Sequence, residues 1–220
     1  MYRPHYKQYI RPDLVWRALA PGIVAVFLLF TACGQSTDSS PAVIVTNLTG
    51  QARIEIGANS EALTQGTRIT RAGKVITEAG SSVDLLSPHH VGIRLLGNAE
   101  FDVGTLLEPD MRVSMEAGDI LVRADRLSPG ESLEVVTPTA VAAVRGTQFW
   151  GRVNPADQPG IFAVREGSVE ITVRATNESV TVEAGRAVVI APGGESIEER
   201  AAAEGELGAM EQIDEINLEP

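Results

Sequence analysis

Nucleophiles, metal sites and acid–base pairs need cysteine, histidine, serine or paired carboxylates, and the sequence supplies few of the first two. Cys33 is the single cysteine, and beyond Ala32 the only histidines are His89 and His90. Adjacent side chains in an extended segment diverge, so this pair after Ser87-Pro88 reads as a turn and no metal set is assigned. No glycine-rich phosphate loop, zinc spacing or nucleophile elbow is present, so no catalytic residue and no cofactor is assigned either. Carboxylates are abundant enough to pair by chance. Glycoside hydrolysis also needs surfaces on which sugars stack, and only Phe101, Phe149, Trp150 and Phe162 are aromatic outside the leader.

Cys33 has a different chemistry available to it. Residues 1–17 are polar and basic, Ile23 to Phe30 form an apolar centre, and Thr31-Ala32-Cys33-Gly34 follows. This is the layout of a signal peptide, too short for a comfortable transmembrane span of roughly 20 residues. A small residue before a cysteine at the end of such a segment resembles the bacterial lipoprotein cleavage box, with Phe30 where leucine is usual. The expectation is lipidation of Cys33, firm membrane attachment through more than one acyl chain, and a polar tether to Pro41. Gly34 rather than Asp after the cysteine favours the periplasmic face of the outer membrane. With Cys33 committed to lipid, the exported part must be held together by packing alone.

Of the 18 basic and 29 acidic residues, the leader holds Arg3, Lys7, Arg11 and Arg17 against Asp13 alone. The chain from Cys33 onward therefore carries 14 basic and 28 acidic side chains, and the basic ones never run together. That balance argues against nucleic acid as a partner, because phosphate binding needs a basic footprint.

The elements that would position any site are short β-branched runs separated by Gly, Pro, Asn and Asp from Pro41 to about Ile190. Period 2 is clearest where Val169, Ile171 and Val173 share one face of a strand and Ser168, Glu170, Thr172 and Arg174 the other. An acidic residue or its neighbour followed by glycine recurs before strands at Gly80, Gly118, Gly167 and Gly185, at unequal intervals, so there is no strict repeat. The fold class is all-β, as an irregular β-solenoid or a β-sandwich-like domain. Residues 1–32 read as signal peptide, 33–41 as lipidated cysteine and tether, 42–190 as the β domain, and 191–220 as an acidic tail. Residues 195–220 contain nine acids against Arg200 alone; they read as solvated, or as carrying a marginal helix around Glu195 to Met210 that docks on a partner.

The densest local signature is Val135 to Phe149, with Thr137-Pro138-Thr139-Ala140 and Arg145-Gly146-Thr147-Gln148-Phe149, followed by Arg165-Glu166-Gly167-Ser168-Val169 and Val182-Glu183-Ala184-Gly185. It resembles the periplasmic β domain of the FecR family over about residues 61–190. Regulators of that family relay a signal from an outer-membrane receptor to a cytoplasmic sigma factor through a cytoplasmic region and a membrane helix. Residues 1–17 are too short for that region, so the resemblance implies a binding or sensing module and not the whole relay. Within the signature, Arg145 offers its fork to an anion, to a partner carboxylate or to turn carbonyls of its own chain. Phe149 and Trp150 must point to opposite faces, one into the core. Arg145, Thr147 and Trp150 are the candidate partner contacts. The reading is a noncatalytic envelope lipoprotein that binds protein or cell-wall material, against a structural outer-membrane scaffold or an envelope polysaccharide hydrolase.

Overall fold

The structure, a computed structural model, describes residues 40–219. The leader, Cys33 and most of the tether lie outside the described residues, which fall within one compact unit. Among the described residues no helix is long and apolar enough to cross a membrane.

Among the described residues seventeen strands form two sheets. Sheet A runs, in spatial order, β4 (Arg68–Ile69), β1 (Val43–Thr49), β6 (Ser82–Leu86), β7 (Gly92–Leu96), the second half of β9 (Asp110–Ala124), β12 (Thr147–Val153), β13 (Gly160–Glu166), β16 (Arg186–Ile190) and β17 (Ile197–Ala201). Sheet B runs β3 (Asn59–Ala62), β2 (Ala52–Ile56), β5 (Lys74–Thr77), β8 (Glu100–Asp102), the first half of β9, β10 (Ser132–Val136), β11 (Ala140–Val144), β14 (Ser168–Val173) and β15 (Ser179–Glu183). Every pairing is antiparallel except β9 with β10. Past the first hairpin of each sheet, spatial order follows chain order. The chain therefore advances along two layers while stepping between them, which unites the sandwich and the solenoid left open by the sequence.

The recurring glycine corners are the steps. Gly80 joins β5 to β6, Gly118 is where β9 leaves sheet B for sheet A, Gly167 joins β13 to β14, and Gly185 joins β15 to β16. All four have positive φ, between +71° and +102°. The reason is clearest at Gly167, where a Cβ would lie 2.6 Å from the Gly146 carbonyl oxygen, so two corners stack at a distance no side chain permits. Arg145-Gly146 is itself such a step, from β11 in sheet B to β12 in sheet A, with Gly146 at φ +65°. Residues 112–115 and 120–123 both belong to the single strand β9, because Gly118 bends the chain between layers without ending the pairing.

One hydrophobic core lies between the sheets. Leu85, Ile93, Phe149 and Phe162 reach it from sheet A, and Phe101, Met115, Val135 and Ile171 from sheet B. Phe149 and Phe162 meet at 6.4 Å between ring centroids, tilted by 47°, a favourable aromatic contact. Most of the rest is Val, Ala and Ile, as expected where β-branched side chains fill a thin space between two pleated faces. In β14, Val169, Ile171 and Val173 are buried while Glu170 and Arg174 are exposed, as period 2 requires.

A second, smaller core lies on the outer face of sheet A. It holds Leu121, Trp150, Ala163 and Ala187 from four strands, covered by Met210, Ile213 and Ile216. The cover is the C-terminal segment: α1 (Glu204–Met210) and a 3-10 turn (Glu211–Glu215). Thus the acidic stretch expected as a tail does contain a short helix, but the helix docks on its own domain. Residues 197–201 also add β17 to sheet A.

Candidate functional site

Two regions bring the sequence candidates together. The first is the Arg145 corner. β10 ends where Thr137-Pro138 turns the chain into β11. The turn is closed by the Thr137 amide and hydroxyl, which donate to the Ala140 carbonyl at 2.8 and 3.0 Å, and by the Ala140 amide, which donates to Thr137 Oγ1 at 3.0 Å. β11 then alternates, with Ala142 and Val144 buried and Val141, Ala143 and Arg145 outward. After Gly146 the Thr147 side chain is 1% exposed and its hydroxyl donates to the Ser168 carbonyl at 2.8 Å, tying the corner to β14.

Beside this corner the segment 125–134 encloses a cavity of about 630 Å³ together with Ala143 to Gly146. Thr147 and Ala124 form the last pair of the β9–β12 ladder. Arg145 and Arg126, each two positions from that pair along the chain, both line the cavity. Both are exposed, and neither has an ion pair or hydrogen bond among the described residues. The carboxylates in the same wall are all engaged. Asp125 accepts from Gln148 Nε2 at 2.8 Å and Arg123 Nε at 3.0 Å, Glu131 from the Ser128 amide at 2.8 Å, and Glu134 pairs with Arg112. Glu131 also lies 2.8 Å from His89 Nδ1, and His89 Nε2 lies 3.3 Å from the Leu107 carbonyl. The Ser128 amide first and His89 second hold the Glu131 carboxyl below its ordinary range. His89 thus braces the cavity wall, and among the described residues no cluster of histidine, cysteine or carboxylate could hold a metal ion.

The second region is the outer face of sheet A. Cross-strand register sets one line of residues directly opposite one another: Asp84 (β6), Arg94 (β7), Leu121 (β9), Trp150 (β12), Ala163 (β13), Ala187 (β16) and Arg200 (β17). Four apolar residues therefore lie between two arginines. Arg94 is buried and forks onto Asp84, Nε to Oδ1 at 2.7 Å and Nη2 to Oδ2 at 2.9 Å, while its Nη1 donates to Glu215 at 2.7 Å. Asp84, ahead of Glu215 and against burial, holds Arg94 protonated above its ordinary range. At the other end Arg200 pairs bidentately with Glu206, whose Oε2 also accepts the Ala203 amide at 2.7 Å and so caps α1. Between them Arg165 donates to Asp214 at 2.6 Å and to the Met210 carbonyl at 3.1 Å, and Arg123 to the Ile216 carbonyl at 3.1 Å. Arginine lowers the carboxyl of Glu206, through Arg200, and of Asp214, through Arg165.

Trp150, placed by sequence among the partner contacts, is 2% exposed beneath this segment, with the Arg152 guanidinium carbon 5.1 Å from its ring centroid. Its Nε1 is buried without an acceptor among the described residues. Of the three candidates only Arg145 is exposed. The sequence reading did not single out Arg94, Asp84 or Arg126. A signal existed for the covering segment, since Met210, Ile213 and Ile216 recur every third residue among acids.

Residues 73–170 match the family model described as FecR protein. That stretch is similar to the FecR family. The matched stretch is somewhat under half the chain and runs from just before β5 into β14, so it contains the Arg145 corner and leaves β15, β16, β17 and the C-terminal segment outside. Two crystal structures of a proposed anti-sigma factor from Parabacteroides distasonis share the fold, at TM-scores of 0.56 and 0.55 and 17% identity in both cases. The similarity covers 64% and 63% of this chain and 65% and 64% of theirs, so it spans just under two thirds of those proteins. No curated protein matches the sequence. The domain is all-β with open sheets.

Proposed function

We propose that this protein is a lipid-anchored binding module of the bacterial cell envelope, tethered through Cys33 to the periplasmic face of the outer membrane, whose FecR-type domain engages an anionic group on an envelope protein or cell-wall component at Arg145 and Arg126. The observation that carries the reading is the imbalance in the cavity wall: every carboxylate there is engaged within the protein, while both arginines are free to receive a ligand. In so acidic a chain, two exposed arginines lining one cavity form a local exception, suited to bidentate recognition of carboxylate or phosphate. Thr147 serves the site from behind by fixing the corner. Likeness to a proposed anti-sigma factor supports a regulatory role for such an engagement. The domain limits follow the same reading, with residues 1–32 removed as signal peptide, 33–41 as lipidated tether and 42–190 as the β domain, to which β17 adds a further strand.

A photo-crosslinking amino acid at position 143, on the rim beside Arg145, tests the site in intact cells. A specific adduct lost in the Arg126→Ala/Arg145→Ala variant is expected; an adduct unchanged by those substitutions would remove the arginines from the interface. Cys33→Ser should abolish acyl labelling and release the protein from membranes. Retention with unchanged mobility would refute the anchor.

A further inference from the structure

The line across the outer face of sheet A has the form of a receptor groove: Leu121, Trp150, Ala163 and Ala187 as an apolar floor, Arg94 and Arg200 as end posts, and Arg123 and Arg165 along the side. Six neighbouring strands at about 4.8 Å spacing make the groove about 24 Å long. The C-terminal segment answers each feature, with Glu206 on Arg200, Asp214 on Arg165, Glu215 on Arg94, and Met210, Ile213 and Ile216 on the floor.

The fit is nevertheless incomplete. Trp150 Nε1 is sealed in with no acceptor among the described residues, although a donor buried without a partner is among the costlier defects of a packed surface. Leu207, on the covering helix itself, remains 48% exposed. Glu215 and Asp214 are 68% and 64% exposed, so their pairs with arginine are largely solvated and weak. A helix as short as α1 has almost no stability of its own and depends wholly on docking. The main core between the sheets contains none of these residues, so the packing between the sheets is made without the cover.

We infer that the outer face of sheet A is a docking groove for an acidic amphipathic helix of another envelope protein, and that residues 204–216 are a displaceable strap occupying it in the partner's absence. The partner's helix carries acids spaced to reach Arg200, Arg165 and Arg94, apolar side chains over Leu121 and Ala163, and a hydrogen-bond acceptor above Trp150, which the strap lacks. This surface is separate from the Arg145 cavity, and only the partner's place in the envelope rests on the proposed function.

The test uses the chain from Ser39 onward, the compact unit, in which Trp150 is the sole tryptophan. Ile213→Asp opens the strap, and the probe is a synthetic peptide of residues 203–217 added in trans. The expected result is a folded variant with red-shifted Trp150 emission. It binds the peptide at least tenfold more tightly than the unaltered chain, recovers its blue emission, and ignores a peptide with Glu206, Asp214 and Glu215 changed to Lys. A folded variant that does not bind the peptide overturns the groove. A doubled mass in light scattering, from exchange of straps between copies, assigns the groove to a second copy of this chain and overturns the separate partner. Hydrogen exchange on the unaltered chain decides independently of the variant's folding. Amides of 204–216 exchanging at least 100-fold faster than those of β12 and β13 support a displaceable strap, and coincident exchange overturns it.

Discussion

Replacing Asp84 by asparagine removes the charge facing Arg94 while keeping size and shape. The two side chains are 3% and 6% exposed, and the carboxylate accepts both parallel bonds of the guanidinium fork. The substituted amide would retain one acceptor and turn its NH2 group toward donors, leaving a buried cation with Glu215 and the Gln212 carbonyl, at 3.3 Å, as its remaining partners. Breaking a buried pair from one side costs about 3–5 kcal/mol. Glu215 is mostly solvated and compensates only in part, which places the expected loss near the lower end, about 3 kcal/mol. For a domain of this size that lowers the melting temperature by about 6–12 °C. Urea unfolding followed by far-UV circular dichroism should show the midpoint falling at constant slope. Asp84→Leu combined with Arg94→Met should return stability to within about 1 kcal/mol of the parent, since apolar replacement of a whole buried pair is often neutral. A loss below about 1 kcal/mol for Asp84→Asn alone, at unchanged slope, would refute the argument by showing that water reaches the guanidinium.

Three further outcomes follow from the corners and the strap. Gly167→Ala and Gly185→Ala both force alanine into positive φ, costing roughly 1–2 kcal/mol. Only Gly167 also meets a backbone oxygen at 2.6 Å, whereas nothing lies within 4 Å at Gly185, so urea unfolding should show the greater loss at Gly167. At Gly92 a Cβ would come within 2.5 Å of Ile216 Cγ2 and 2.8 Å of Leu218 Cδ2. Gly92→Ala should therefore lift the end of the strap, with faster exchange at residues 216–218 and little change in the β12 amides. Glu206 and Asp214 have carboxyls lowered by arginine, so their contribution to strap docking is complete above the unfolded values near pH 4 and is lost as pH falls through their lower folded values. Acid titration of Trp150 emission should show a red shift on the acid side of pH 4 that precedes loss of β-sheet signal, and simultaneous loss of both would count against it.

The two-layered β architecture was legible because period-2 alternation and glycine placement are local properties of the chain. Val169, Ile171 and Val173 announced their buried face, and the glycines at 80, 118, 167 and 185 announced corners before their role as steps between sheets was visible. The opposite faces of Phe149 and Trp150 were legible for the same reason. What covers Trp150 was not, because that depends on α1, far along the chain, returning to sheet A. A marginal helix around Glu195 to Met210 was legible from composition, but not the face it would dock on. The segment's arginine partners are spread over β7, β9, β13 and β17, so the complementarity exists only after register has aligned those strands. Arg145 and Arg126 remained unconnected in sequence for a related reason, since only the folded chain brings both to one cavity.

Because spatial order follows chain order in both sheets, no rung joins positions further apart in the chain than Ile44 and Leu86. A protein exported amino terminus first can consequently complete each rung soon after its residues emerge, without waiting for the carboxyl end. The strap is the exception: Glu215 reaches Arg94 across 121 residues. On the proposed export route the strap emerges after the strands that build the groove, and during that interval the groove stands open to whatever neighbour is at hand.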